Sequence, residues 1–526
     1  MTLYTLKLII VHHHFRPGGV RRVIELATPY LVSQLPEEVD GVVLVAGEAP
    51  DPAWLKAFRA SLHGTRVKVM VVEAFGYTSE LATHGENLGR LMDDGVMTLL
   101  RESGRGPCLI WAHNLGLGRN LYLTRELTYT CRCCCVPLVV HHHDWWFENR
   151  WHHFTGVRER GFRTLRAMAS AVLASSPLTC HVAINQSDAT VLEKHLPGRS
   201  GWLPNPVERP TPPTQAAIRA ARSWLSQELG DDAPVWIMPS RLLRRKNVAE
   251  ALLLARWLRP QAWLVTTGGV SSAEEQAYAQ ALASGAQKHG WRLRLGVLHG
   301  DEDRKPPVAD LMAASEAVLI TSLQEGFGLP YLEAAALGRP LLARQLPNVA
   351  PDLEKFGFKF PQSYRELWID PSLFDWSAER ARQVERFAKW KRLMPDAAAR
   401  LVGKPALLAA GNEPCPVPFS RLTLAAQLEI LTCPIELSWD RCSALNRSLN
   451  TWRKRASAGR LETSPWPRSA TRSLGGRRFA ERLLEMMPTW RTEDPARDAG
   501  QAAQREFLRR KLRSDCLYPL LWDGKP

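Results

Sequence analysis

Short apolar runs alternate with amphipathic stretches along the first 200 residues. "LKLIIVHH" (6–13), "VDGVVLVAG" (39–47), "RVKVMVVE" (66–73), "CLIWAHN" (108–114) and "PLVVHHHDW" (137–145) each read as a strand. Their apolar, β-branched positions are nearly continuous, as in strands buried on both faces of a parallel sheet. Between them, "NLGRLMDDGVMTLLRES" and a stretch from Val20 to Leu35 repeat apolar residues with helical spacing. "PLTCHVAIN" and "SGWLPNPV" complete this half.

The Pro-rich stretch "PNPVERPTPPT" (204–214) breaks the pattern and reads as a linker. A second alternation follows. "APVWIMPS", "AWLVTTGG", "WRLRLGVLHG" and "AVLITS" read as strands; "NVAEALLLARWL", "SAEEQAYAQALASGAQKHG" and "PVADLMAAS" read as helices. The expected organisation is α/β. Two doubly wound Rossmann-like domains occupy residues 1–205 and 231–400, a hinge covers 206–230, and a C-terminal extension covers 401–526. Such halves are expected to face each other across a cleft, with ligands at the C-terminal ends of strands. Within the extension, 447–478 shows few apolar positions and reads as irregular, whereas "AAQREFLRRKLRSDCLYPLLW" reads as a last helix.

Composition changes this picture little. A 45% hydrophobic and 23% charged chain is that of an ordinary globular protein. No run approaches the roughly 18 apolar residues of a membrane span. "MTLYTLKLIIVHHH" lacks a basic n-region and a cleavage site, so cytoplasmic residence is expected. The net charge of +15 does matter, because residues 431–526 hold 19 Lys/Arg against 11 Asp/Glu. That tail suits a solvated or docked helical surface, or weak association with an anionic membrane surface; it carries no specific nucleic-acid motif. Four of the ten cysteines crowd into "CRCCC" (131–135), a spacing that cannot aim all four at one ion.

Chemistry concentrates in "LQEGFGLPYLEAAALGRPLLA" (323–343). Gly326 and Gly328 let main chain approach a ligand, and Pro330 suits the first position of the helix that follows. Free amides and the positive helix end suit a phosphate. Glu325 and Glu333 would repel that phosphate unless aimed at neutral hydroxyls beside it. In "MPSRLLRRKN" (238–247), Arg241 and Lys246 lie around a strand-to-helix turn, where cations need a compensating anion; Arg244 and Arg245 are expected to face solvent. The His triplets 12–14 and 141–143 suggest a metal, but neighbouring strand residues alternate faces, so one triplet offers at most two ligands to an ion.

Residues 325–334 read E-G-F-G-L-P-Y-L-E-A. They resemble the E-G-F-G-L-P-x-x-E-A pattern of the retaining glycosyltransferases of the GT-B type, family 4, and R-x4-K-N at 241–247 resembles the same family's diphosphate loop. The likeness runs from about residue 8 to 355. It implies transfer of a sugar from a UDP- or GDP-sugar donor to an unknown saccharide, lipid or small-molecule acceptor, with no cofactor and no metal. It implies that Glu333 holds the ribose hydroxyls, Glu325 the hydroxyls of the transferred sugar, and Arg241 and Lys246 the diphosphate. Gly326, Phe327, Gly328 and Leu329 would line the donor, with Gly18 and Gly19 as the glycine loop of the first domain. His143 would contact the reacting sugar, with Asp144, His14, His113 and Asn185 as further candidates at strand ends. Two other readings remain open: a retaining phosphorylase of the same fold, and a non-catalytic polyanion- or membrane-surface-binding protein.

Overall fold

The computed structural model describes residues 6–35, 39–81, 86–102, 107–148, 151–159, 161–270, 272–300, 305–411, 413–486, 496 and 498–522. The chain divides into two units. Unit 1 takes residues 1–208, 393–401 and 469–511, and unit 2 takes 209–392, 402–468 and 512–526. The residues expected as one extension, 401–526, are thus shared between the units. The second half of the expected hinge is a helix, Gln215–Leu229, capped by Thr214.

Unit 1 is built on a seven-stranded sheet. Its strands are β1 (Leu6–Val11), β2 (Val39–Ala46), β3 (Arg66–Val71), β4 (Cys108–His113), β5 (Leu138–His142), β6 (Thr179–Ala183) and β7 (Ser200–Trp202). The order is β3-β2-β1-β4-β5-β6-β7, with every pairing parallel. Alternate residues of each strand feed two separate cores. Leu8, Ile10, Trp111 and Val139 enter one, and Ile9, Val11, Ile110 and Val140 the other. Burial on both faces explains why these strands read as continuous apolar runs. The helix Ala499–Lys511 also belongs to this unit, where Lys511 Nζ reaches Glu148 (2.6 Å) and Asp188 (3.3 Å).

Unit 2 repeats the plan with β8 (Val235–Met238), β9 (Trp263–Thr266), β10 (Leu293–Arg294), β11 (Ala317–Ile320), β12 (Leu341–Arg344) and β13 (Gln362–Tyr364). The parallel order is β10-β9-β8-β11-β12-β13. In both sheets the order reverses next to the first strand, the place where open α/β sheets bind ligands at their carboxyl ends. The fold class expected from the sequence, paired Rossmann-like α/β domains, is the one observed. "WRLRLGVLHG" contributes only two strand residues, because Gly296 turns the chain with φ +63°.

The stretch 447–478 is not irregular. It forms helices at Arg447–Ser457 and Arg468–Leu474, with a third starting at Gly476. Leu449, Trp452 and Ala456 are spaced three and four apart and are buried, so a few apolar positions suffice for a docked face. Some of the tail's cations meet its own acids, as in Arg453–Glu436, Arg478–Glu485 and Arg510–Glu506. Among the described residues, no helix is long and apolar enough to cross a membrane.

Candidate active site

In unit 2 the loops after β8 and β11 meet where the strand order reverses. Leu323 N donates to Arg245 O (2.7 Å), and Thr321 Oγ1 donates to the carbonyls of Lys246 (2.9 Å) and Asn247 (3.0 Å). Side chains complete the joint. Lys246 pairs with Glu325, and Arg245 Nη1 reaches both Gln324 O (2.9 Å) and Glu325 Oε2 (3.2 Å). Asn348 Nδ2 holds the Glu325 carbonyl at 2.7 Å. Burial alone would raise the Glu325 pKa, but Lys246 and Arg245 outweigh it and hold the carboxyl at about 2. Glu325 is therefore ionised at neutral pH, while burial lowers the Lys246 pKa against the pull of Glu325.

Arg241, on the same loop, is exposed, and among the described residues it makes no hydrogen bond or ion pair. Arg244 and Arg245 were the pair expected to face solvent. Both are partly buried instead, because Arg244 Nε finds Glu275 at 3.2 Å and Arg245 finds Glu325. The available cation is thus Arg241.

Gly328 caps the helix Leu329–Ala336 with φ +84°, and a Cβ there would lie 2.7 Å from Val349 Cγ1. Pro330 stands in the first turn. Among the described residues, the N–H groups of Gly328 and Leu329 donate to no backbone carbonyl. Phe327 is buried, and Gly326 is partly so. One turn into the helix, Glu333 is partly buried and has no hydrogen-bond or ionic partner among the described residues; burial alone raises its pKa.

Beneath the two loops lies a buried network the motifs do not reveal. Asn247, with φ +51°, donates to Glu250 Oε2 (2.8 Å). Glu250 also pairs with Arg344 and accepts from Tyr364 Oη (2.6 Å), and Arg344 Nη1 reaches Glu366 (2.7 Å). It anchors the start of the helix Val248–Leu258 to β12 and β13. The segment 296–303, after β10, lies partly outside the described residues: 301–304 are among those left out.

In unit 1 the candidates stand at strand ends. Gly18 precedes the helix Gly19–Gln34 with extended φ 163°, and a Cβ on Gly19 would meet nothing within 4 Å. His14 is held by Tyr77 Oη (3.2 Å). His113 ends β4, with Nδ1 3.1 Å from His143 Nε2 just past β5. Asp144 N donates to Asn114 Oδ1 (3.0 Å). Burial holds the His143 pKa down at about 4 although Asp144 favours its proton, so the ring is neutral at pH 7. Asn185 is a helix cap, bonded to Asp188 on both its amide atoms.

The sequence pattern of the family "Glycosyl transferases group 1" matches residues 225–379, which span both loops and the helix after them. Residues 225–379 are thus similar to a glycosyltransferase group 1 domain. Among solved structures, HepE from Anabaena with UDP-glucose is similar at 17% identity, covering 86% of this chain and 98% of that one, with a TM-score of 0.46. WaaG, a glycosyltransferase involved in lipopolysaccharide biosynthesis, is similar at 18% identity over 67% of this chain and 84% of that one, TM-score 0.43. A glycosyltransferase from Rickettsia africae is similar at 10% identity over 93% of this chain and 100% of that one, TM-score 0.49. No curated protein matched the chain significantly. The matched stretch contains Arg241, Lys246, Glu325 and the turn 326–329, which meet around one strand-order reversal.

Proposed function

We propose that this chain is a retaining glycosyltransferase that moves a sugar from a nucleoside-diphosphate sugar to an acceptor hydroxyl, without a metal at the diphosphate. One observation carries the reading: within the matched stretch, the unpaired cation Arg241, the free amides of Gly328 and Leu329 and the unpaired carboxylate of Glu333 follow the carboxyl ends of β8 and β11. Arg241, Lys246 and the amides of Gly328 and Leu329 receive the diphosphate. Glu333 accepts from the ribose hydroxyls, and Glu325 from the sugar. As the bond between anomeric carbon and phosphate oxygen breaks, the negative charge gathering on the leaving diphosphate meets these donors. Aimed donors of this kind are each worth about 100- to 1000-fold in rate. The acceptor oxygen bonds to the anomeric carbon on the face the diphosphate leaves, and its proton passes to the departing phosphate oxygen. On the same reading, His143, a neutral imidazole, contacts the reacting sugar, and Gly18 and Gly19 are the glycine loop of the first domain. The ten free cysteines suit a reducing, cytoplasmic setting.

The test is a donor screen. UDP, GDP and their sugars are compared by thermal shift, and nucleotide release is then followed with candidate acceptors in chelator-treated buffer. Release of nucleoside diphosphate, with the donor's anomeric configuration kept in the product, supports the reading. Release of sugar phosphate from a saccharide and inorganic phosphate means a phosphorylase instead. No stabilisation by any nucleotide sinks the assignment; ligand at 100 times its Kd should add about 2.7 kcal/mol.

A further inference from the structure

A histidine triplet on one strand can aim only two rings at one ion. The structure supplies a third from the next strand. His113 of β4 and His141 of β5 are register partners in the parallel sheet, so their side chains share a face. His143, two residues beyond His141, returns to that face. One ring nitrogen from each of the three lies within 4.8 Å of the others, and the His113–His143 pair is 3.1 Å apart. Two nitrogens bound to one tetrahedral zinc ion at its usual bond length stand ~3.3 Å apart.

The nitrogens are also short of partners. His113 and His141 are fully buried; both ring nitrogens of His141 make no hydrogen bond among the described residues, and His113 has Nδ1 against His143 and leaves Nε2 without one. Only the Leu203 backbone is placed to favour a proton on His141. The rings are neutral, since burial lowers all three pKa values, and a neutral imidazole is the form that binds metal. Trp111, its ring 4.2 Å from that of His113, and Phe479, 5.9 Å from His141, wall this face with apolar surface. His142 points to the opposite face, where it bonds His181 (3.0 Å), and so stands outside the set.

We infer that His113, His141 and His143 form a three-nitrogen site for a divalent transition ion of the zinc type, with a fourth position left for a solvent or substrate oxygen. The site stands on unit 1 alone and does not depend on the transferase reading. If that reading also holds, an ion here takes the His143 nitrogen from the sugar, so zinc inhibits transfer rather than supporting it.

The experiment uses the full chain carrying Cys133→Ser, Cys134→Ser and Cys135→Ser, which removes the exposed thiols as competing ligands. After chelator dialysis, Zn²⁺ is titrated calorimetrically, and Co²⁺ is followed by visible absorption. One saturable equivalent, with the strong visible bands of tetrahedral nitrogen-bound Co²⁺ and no thiolate band, supports the site. His113→Asn and His141→Asn should each weaken zinc at least 10-fold, with circular dichroism reporting their fold. If either fails to fold, the Co²⁺ spectrum of the His-intact chain still decides. Absence of saturable binding there, or a weak octahedral spectrum, overturns the site. Zinc inhibition is read separately, so nucleotide-sugar turnover can fail while metal binding stands.

Discussion

Lys246 donates to Glu325 across 79 residues of sequence, closing the loop after β8 onto the loop after β11. Both side chains are about nine-tenths buried. The contact therefore couples stability to the proposed chemistry, because the ammonium that holds the loops together is the one proposed to receive the diphosphate.

Lys246→Ala leaves Glu325 with Arg245 alone. Removing one partner of a buried pair costs about 3 kcal/mol or somewhat more, so the variant should unfold at lower urea while staying folded in its absence. Transfer should fall at least 100-fold. Lys246→Arg should recover most of the stability and only part of the turnover, since a planar guanidinium does not replace a compact ammonium. Wild-type-like turnover by the alanine variant would count against the assignment.

Glu325 makes a second prediction through pH. Its folded pKa of about 2 lies below the ordinary carboxylate value of 4.5, so the folded state binds its proton more weakly than the unfolded state. The resulting stabilisation, about 3 kcal/mol, is complete above pH 4.5 and fades as pH falls towards 2. The stability gap between wild type and Glu325→Gln, measured in urea, should therefore shrink by more than half between pH 7 and pH 3. A gap independent of pH would show that the carboxyl is not held ionised by its neighbours.

The parts of this site legible in the sequence were local ones. The glycines, Pro330, Arg241 and Lys246 all sit within ten residues after a strand end, so periodicity and turn chemistry locate them. Partners chosen by the fold were not legible. Arg244 and Arg245 looked solvated because Glu275 and Glu325 arrive 31 and 80 residues later. Glu250 looked like an ordinary early-helix acid until Arg344 and Tyr364 closed on it from β12 and β13. The tail helices were missed for a related reason. Their apolar stripes are narrow and gain meaning only from the surface they cover.

The buried histidines predict acid sensitivity of unusual steepness. His13 and His181 are buried with pKa values lowered to about 4, chiefly by burial, against an unfolded value near 6.5. Unfolded chain takes up these protons first, so stability falls as pH drops from 6.5 to 4, by about 1.4 kcal/mol per pH unit for each ring. Urea unfolding between pH 7 and 5 should show this slope, and His181→Gln should reduce it by one proton's share. An unchanged slope in that variant would mean that His181 is charged in the fold.

Two glycines should respond in opposite ways. Gly328→Ala places a Cβ 2.7 Å from Val349 at φ +84°, so it should lose about 1–3 kcal/mol and nucleotide affinity together. Gly19→Ala meets nothing within 4 Å and sits at the first helical position, so it should gain up to about 1 kcal/mol. If the Gly18–Gly19 turn makes room for the donor, that more stable variant should nonetheless turn over more slowly. Unimpaired turnover would remove these glycines from the site.

Glu333 carries the same opposition in its charge. Its carboxylate is partly buried with no partner among the described residues, and burial raises its pKa. A raised folded value means that ionisation works against folding once pH exceeds the unfolded pKa, so at pH 7 the group costs stability. Glu333→Gln removes that charge and keeps the shape. The ligand-free variant should therefore melt slightly above wild type. A neutral amide accepts more weakly from ribose hydroxyls than a carboxylate does, so the KM for a nucleotide-sugar donor should rise about 10-fold. Free phosphate or pyrophosphate, which has no ribose, should bind wild type and variant alike. A variant that is less stable than wild type, or that loses pyrophosphate as readily as UDP, would place Glu333 in the packing of the helix rather than on the ribose.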